Sequence, residues 1–189
     1  MFEIDQKFPD FSLETLFVET GESGKLSNRD FLNHWFIFLW YPADRTFVCP
    51  TELADLSGYR EELARRNVLV LTASTDSIYT HKGWLQTEPL ISKMKFPMAS
   101  DPDGEVARRL SIYDEKHKHA KRAVFIIDPR GILRAATIVS DSIGRSAKEI
   151  IRELQALRYT YNHPHHMCPA SWEEGMKAIQ LPKSDSESE

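Results

Sequence analysis

The hydrophobic pattern along the chain changes period several times, and each change predicts an element. Trp35 to Tyr41 reads Trp-Phe-Ile-Phe-Leu-Trp-Tyr, an aromatic-apolar run rich in strand formers and too short to span a membrane. It predicts a buried strand. Beyond it, Leu53, Leu56, Tyr59 or Arg60, and Leu63 recur at helical spacing, predicting a helix that continues to Asn67. Val68 to Ala73 is again continuously apolar or β-branched, as in a strand buried on both faces. Ser74-Thr75-Asp76-Ser77 offers cap-type residues for a next helix. The stretch from His81 to Met94 is interrupted by Pro89, so it predicts one kinked helix or two short ones. Ala123 to Ile127 and Ile132 to Val139 flank Asp128-Pro129-Arg130-Gly131, a strong hairpin signal. Ile150, Leu154, Leu157 and Tyr161 then form an apolar stripe on a helix starting near Ser146.

The remaining segments are weaker. Lys7 to Phe17 alternates loosely and contains Pro9, which suits an edge strand or an extended arm rather than a central strand. Gly21 to Gly24 marks a turn, and Ser27 to Asp30 can open a short helix over Phe31 and Leu32. Phe96-Pro97-Met98 reads as a brief extended piece, Asp101 to Gly104 as a turn, and Val106 to Leu110 as a short helix. The order strand-helix-strand-helix, then hairpin, then helix, predicts an α/β fold with a central mixed sheet flanked by helices.

Composition narrows the function classes. A net charge of −4 with no basic block argues against nucleic acid as a partner. Two cysteines among 189 residues do not make a disulfide-stapled secreted scaffold. The first residues lack a positive region followed by an apolar stretch, so no secretory signal is expected, and neither is membrane attachment. Cytoplasm is the expected compartment. The acidic run Ser184 to Glu189 is expected to be a disordered tail.

Candidate chemistry concentrates where the first strand hands over to its helix, at Pro42-Ala43-Asp44-Arg45-Thr46-Phe47-Val48-Cys49-Pro50-Thr51-Glu52. Proline is tolerated in the first helical turn, because its missing N–H would be unpaired there anyway. With Pro50 as the first helical residue, Cys49 becomes the N-cap and Glu52 the third position of a capping-box variant. The sulfur would then face free N–H groups at the positive end of the helix, which favours thiolate over thiol. A local dithiol motif would need a second cysteine where Glu52 stands.

Pro42-x-x-x-Thr46-x-x-Cys49 followed by Pro50-Thr51-Glu52 resembles the active-site signature of the peroxiredoxins. The similarity runs from near residue 5 to about residue 178. It includes Ser74-Thr75-Asp76, His81-Lys82-Gly83-Trp84, Arg122 with Phe125 to Asp128, Ile143-Gly144-Arg145, His163-Pro164, and Cys168 to Trp172. It is strongest to the typical two-cysteine branch that includes the bacterial alkyl hydroperoxide reductase C subunit. The resemblance implies a thioredoxin-like peroxidase domain over residues 1–162 and a C-terminal segment, 163–189, carrying a resolving cysteine. It implies that Cys49 attacks hydrogen peroxide or organic hydroperoxides, becomes a sulfenic acid, and is resolved by Cys168 of a partner subunit. Antioxidant defence and redox homeostasis would be served by that cycle. It implies a homodimer bridged by two intersubunit disulfides, assembling into a decamer, with no metal and no organic cofactor. The reductant would be a protein dithiol, either thioredoxin or a flavoprotein disulfide reductase.

The same resemblance places Thr46 and Arg122 around the peroxide, Pro42 as a shield for the sulfur, and Glu52 with Arg145 as an ionic support for Arg122. Such groups are needed on chemical grounds. A larger thiolate fraction is offset by weaker nucleophilicity as basicity falls, so most acceleration must come from holding the peroxide and stabilising the departing oxygen. Arg45 departs from the aromatic residue that relatives often carry there. The chain also lacks the Gly-Gly-Leu-Gly stretch and terminal Tyr-Phe helix of overoxidation-sensitive relatives, an expectation of the robust type. His163, His165, His166 and Cys168 include metal-ligand types but lack structural-zinc spacing. The aromatic run from Trp35 is expected in the core and in subunit contact. Two other readings remain: a holdase-like or signalling assembly under redox control, and a general disulfide exchanger, which Glu52 disfavours.

Overall fold

A computed structural model describes residues 2–182; the acidic run from Ser184 lies outside the described residues. Two compact units are present, Met1–Ser146 and Ala147–Glu189.

The first unit is built on a seven-stranded mixed sheet. Its strands are β1 (Ser12–Leu16), β2 (Ser23–Ser27), β3 (Trp35–Trp40), β4 (Val68–Ser74), β5 (Met98–Ser100), then β8 (Arg122–Ile127) and β9 (Leu133–Val139). Two two-residue strands, β6 (Tyr113–Asp114) and β7 (His119–Ala120), form a separate small hairpin. The spatial order is β2-β1-β5-β4-β3-β8-β9. Strands β3, β4 and β5 run parallel, as crossover helices require; β8 returns antiparallel to β3, and β9 is antiparallel to β8. Every residue of β3 and β8 is buried, which explains the unbroken apolar runs Trp35 to Trp40 and Ala123 to Ile127. Phe38 faces Phe125 in the register of this central pair. One side of the sheet packs Phe8, Phe11, Phe31, Phe36 and Phe38, with Phe31 stacked on Phe36 at 3.8 Å between ring centroids.

Three expectations are corrected. The helix after Cys49 is two helices, α1 (Cys49–Ser57) and α2 (Arg60–Arg65). They part at Gly58, a poor helix former, beside a Ser57 hydroxyl that donates to Leu53 O at 2.7 Å. Strand β1 is not an edge strand: β2 and β5 flank it, and Pro9 lies outside it in an extended lead-in. The aromatic run of β3 is wholly buried within one chain, leaving it nothing to offer a neighbouring subunit.

The interrupted segment after Asp76 resolves into α3 (Ile78–Thr87), capped by Ser77 Oγ accepting from Thr80 N, and a 3-10 turn, Pro89–Ile91. Helix α4 (Glu105–Arg109) follows the turn at Gly104. In the second unit, α5 (Ala147–Asn162) buries Ile150, Ile151 and Leu154, but Leu157 is half-buried and Tyr161 exposed, so the apolar stripe is covered only in its first half. Strands β10 (His166–Met167) and β11 (Ile179–Gln180) pair antiparallel beyond it.

Candidate active site

The sheet register brings the chemistry together. Antiparallel pairing of β3 with β8 sets Trp40 against Ala123, so the first residue of β8, Arg122, stands where β3 ends and the loop of residues 41–48 begins. The parallel strands β4 and β5 end at the same side, in Ser74 and Ser100. Loops outside the carboxyl ends of parallel strands are where α/β proteins build their sites.

Cys49 is buried at the first residue of α1, and the residue before it, Val48, takes the N-cap position without a side-chain bond. The expected capping box is therefore absent. Thr51 N and Glu52 N both donate to Val48 O, at 3.0 and 3.3 Å. Glu52 is buried and its carboxylate is spent elsewhere, because two guanidinium groups outcompete a neutral amide for it. Arg145 donates from its backbone N and from Nε to Glu52 Oε1, both at 2.8 Å, and from Nη2 to Oε2 at 3.1 Å. Arg122 Nη1 donates to Glu52 Oε2 at 2.8 Å and reaches Cys49 Sγ at 3.2 Å. Arg122 Nε is held by Asp141 O at 2.9 Å, and Arg145 Nη1 by Ala123 O at 2.5 Å.

Gly144 permits this closeness. A Cβ there would lie 3.3 Å from Val48 Cγ1 and 3.7 Å from Glu52 Cγ, so the missing side chain at position 144 lets the loop carrying Arg145 press against the start of α1 without displacing the Val48 side chain.

Electrostatics follow from the geometry. Burial alone would raise the Glu52 carboxyl, but Arg145 first and Arg122 second hold it below the usual carboxylate range. Burial likewise opposes the charge on Arg122, and the Cys49 sulfur and Glu52 together outweigh it, keeping the guanidinium above its ordinary value. A fixed cation thus points at the sulfur.

Two further expected residues lie on the intervening loop. Pro42 is buried two residues beyond the end of β3. Thr46 is half-buried, and its hydroxyl donates to Ala43 O at 3.0 Å, so its lone pairs remain for an incoming donor. Phe47, next to it, is 96% exposed.

Cys168 belongs to the second unit. It is half-buried and unbridged, with Sγ 3.8 Å from Ala156 O. Burial pushes its thiol up, with Arg152 pulling the other way. Around it Tyr159 stacks on His163 at 4.3 Å, and its hydroxyl meets His166 Nδ1 at 2.8 Å. His163 Nδ1 is taken by Tyr159 O at 2.7 Å. Both histidines are engaged as packing and hydrogen-bonding groups, and no three His, Cys, Asp or Glu side chains among the described residues cluster as a metal site. Trp172 is buried, donating from Nε1 to Met176 O at 3.1 Å.

Sequence reasoning missed one buried cluster beside this site: Tyr41, Asp44 and His81. Its members stand inside recognised stretches, but 37 residues separate Asp44 from His81, and no periodicity joins them. Among the described residues, no helix is long and apolar enough to cross a membrane.

A mixed sheet of this topology with a cysteine at a helix start after its central strand defines the thioredoxin-like class of thiol proteins. The comparisons carry that further. The AhpC/TSA family profile matches residues 4–136. Alkyl hydroperoxide reductase C of Escherichia coli (strain K12) is 40% identical over 167 residues, covering 88% of this chain and 89% of that protein. The crystal structure of Enterococcus faecalis AhpC superposes with a TM-score of 0.84 at 40% identity, over 89% of this chain and all of that one (100%). The reduced 2-Cys peroxiredoxin of Plasmodium vivax gives a TM-score of 0.86 at 29% identity, over 93% of this chain and 91% of that one. The chain belongs to the AhpC/TSA family of peroxiredoxins.

Proposed function

We propose that this chain is a thiol-dependent peroxidase that reduces hydrogen peroxide and organic hydroperoxides through Cys49. The observation that carries the reading is the Arg122 guanidinium, buried, fixed by Glu52 and 3.2 Å from the sulfur. It can stabilise a thiolate before reaction and the charge on the departing oxygen during it. Thr46, with its own proton given to Ala43 O, is set to accept from the peroxide O–H. Pro42 closes the site against water, and Glu52 with Arg145 keeps Arg122 aimed.

In the first step the thiolate attacks the nearer peroxide oxygen. The S–O bond forms, the O–O bond breaks, and the departing alkoxide or hydroxide takes a proton to leave as alcohol or water. Cys49 is oxidised by two electrons to sulfenic acid. In the second step the Cys168 sulfur of a partner subunit displaces hydroxide from that sulfenic acid, giving water and a disulfide. A protein dithiol, thioredoxin or a flavoprotein disulfide reductase, then reopens it. The resolving segment sits in a unit of its own, and Phe47 and Tyr79 are almost fully exposed apolar side chains. These features favour a homodimer that associates further, as a decamer, and the cytoplasm is the compartment in which we place it. The relatives named alkyl hydroperoxide reductase C and 2-Cys peroxiredoxin support peroxide reduction through a thiol.

Catalysed peroxide loss with a dithiol reductant tests the reading. Wild type should turn over, and Cys49→Ser should fall to the uncatalysed background. A Cys49→Ser protein that still consumes peroxide, or a wild type that does not, refutes it. Aggregation suppression surviving in Cys49→Ser without any peroxidase activity in wild type would favour the holdase-like assembly instead.

A further inference from the structure

The loop of residues 41–48 carries both Pro42 and Thr46, yet it has little regular structure of its own. Arg45 at its corner takes φ 57°, a left-handed conformation that side-chain-bearing residues resist, and Phe47 faces solvent. Connecting segments of this kind are mobile unless tied down. Here the tie is Asp44. Its carboxylate, buried, accepts the Tyr41 hydroxyl on Oδ1 at 2.8 Å and faces His81 Nδ1 on Oδ2 at 2.7 Å. Its backbone N donates to Asp76 Oδ2 at 2.8 Å, and Asp76 Oδ2 also accepts from Ser74 Oγ at 2.8 Å.

His81 completes the anchor from α3. Its ring is fully buried, with Nε2 3.2 Å from Ala99 O in β5. A carbonyl oxygen can only accept, so Nε2 carries a proton, and a second proton lies between Nδ1 and Asp44 Oδ2. The ring is therefore a rigid strut between the sheet and the loop. Neither ring nitrogen is exposed to solvent or turned toward the sulfur's own partners, Arg122 and Glu52, so the pair has no role in the chemistry described above.

We propose that His81 and Asp44 are the positioning pair of the peroxide site, holding the segment that presents Thr46 to the peroxide over Cys49. This rests on the peroxidase reading. The pair acts through Thr46 and Pro42, two residues to either side of Asp44, and leaves the surroundings of the sulfur to Arg122, Glu52 and Arg145. Misplacing a contact by about 1 Å can cost roughly a hundredfold in rate.

The split between two reactions of Cys49 tests this. Wild type, His81→Leu, His81→Asn and Asp44→Asn are compared for the rate constant with hydrogen peroxide and for alkylation by iodoacetamide across pH. Iodoacetamide needs the thiolate but not the peroxide contacts. His81→Leu should slow the peroxide reaction about 10- to 100-fold with alkylation unchanged at every pH. His81→Asn, whose amide can occupy the Nδ1 position and donate to Asp44, should recover most of the loss, and Asp44→Asn should lose part of it. Natively folded His81→Leu and Asp44→Asn within twofold of wild type toward peroxide would overturn the assignment, as would peroxide and alkylation rates falling in parallel. If His81→Leu does not fold, Asp44→Asn decides by the same criteria. A wild type inert to peroxide would sink the peroxidase reading itself; an active wild type matched by its variants would sink only the positioning role.

Discussion

Cys49 and Cys168 occupy opposite kinds of surroundings. Cys49 stands where wholly buried strands end, beside a carboxylate that takes four hydrogen bonds from guanidinium and amide donors of Arg122 and Arg145. Cys168 follows a two-residue strand, its sulfur 3.8 Å from a helix carbonyl, in a unit that exposes Met167, Met176 and Ile179. One cysteine is held by elements that cannot shift without exposing charge. The other is held by a few rings and short pairings that can be given up cheaply. A peroxide-reactive sulfur gains from fixed partners, and a resolving sulfur has to travel, so the contrast matches the division of labour in the proposed cycle.

The contrast can be broken most severely at Glu52. Glu52→Gln leaves Arg122 and Arg145 buried with only a neutral amide between them. Removing one partner of such a buried set costs about 3–5 kcal/mol, which urea unfolding should register. The sign with pH follows from the lowered carboxyl of Glu52. Its contribution is complete above an unfolded-state value of about 4.3 and is lost as pH falls through the lower folded-state value. Wild type should therefore lose stability in acid more steeply than Glu52→Gln.

Next in size, Arg122→Gln should lower the rate of Cys49 with peroxide about 100- to 1,000-fold, by analogy with removing one oxyanion donor. Stopped-flow measurement of the first turnover checks it, and a rate within tenfold of wild type would be inconsistent with the guanidinium as the main stabiliser. Trp172→Ala removes the buried ring of the second unit. Amide exchange over residues 166–181 should then speed up by more than about tenfold, with β3, β4 and β8 keeping their protection. Smallest, and sharpening the comparison rather than breaking it, is a pH effect on Cys168. Because burial raises its thiol, the disulfide-forming step should quicken up to about tenfold per pH unit through neutrality, as the thiolate fraction grows. Rapid-quench mass analysis after a peroxide pulse would follow that step.

Much of this was legible before the structure because it is local. The apolar runs of β3 and β4, the hairpin of β8 and β9, and the break at Pro89 each follow from residues within a few positions of one another. The site's charged residues, and the ionic support that Glu52 and Arg145 give Arg122, could be nominated only by resemblance, not from local pattern. Glu52 reads as a helix cap in sequence because nothing local reveals that Arg122 and Arg145 lie within 3 Å of it. Strand β2 was missed because Ser-Gly-Lys-Leu-Ser is partly exposed and has little strand propensity, its pairing being dictated by β1. The same blindness to long-range pairing hid Asp44 and His81.

The most direct test of the account is a non-reducing gel with intact-mass analysis after one equivalent of hydrogen peroxide, on wild type, Cys49→Ser and Cys168→Ser. Wild type should give a disulfide-linked dimer, two hydrogens lighter per bond, with none in either variant, and Cys168→Ser should carry a sulfenic or further oxidised Cys49. A wild type that stays monomeric on the gel with Cys49 oxidised and Cys168 untouched would contradict the division of labour between the two cysteines, and an unoxidised Cys49 would contradict the peroxidase itself.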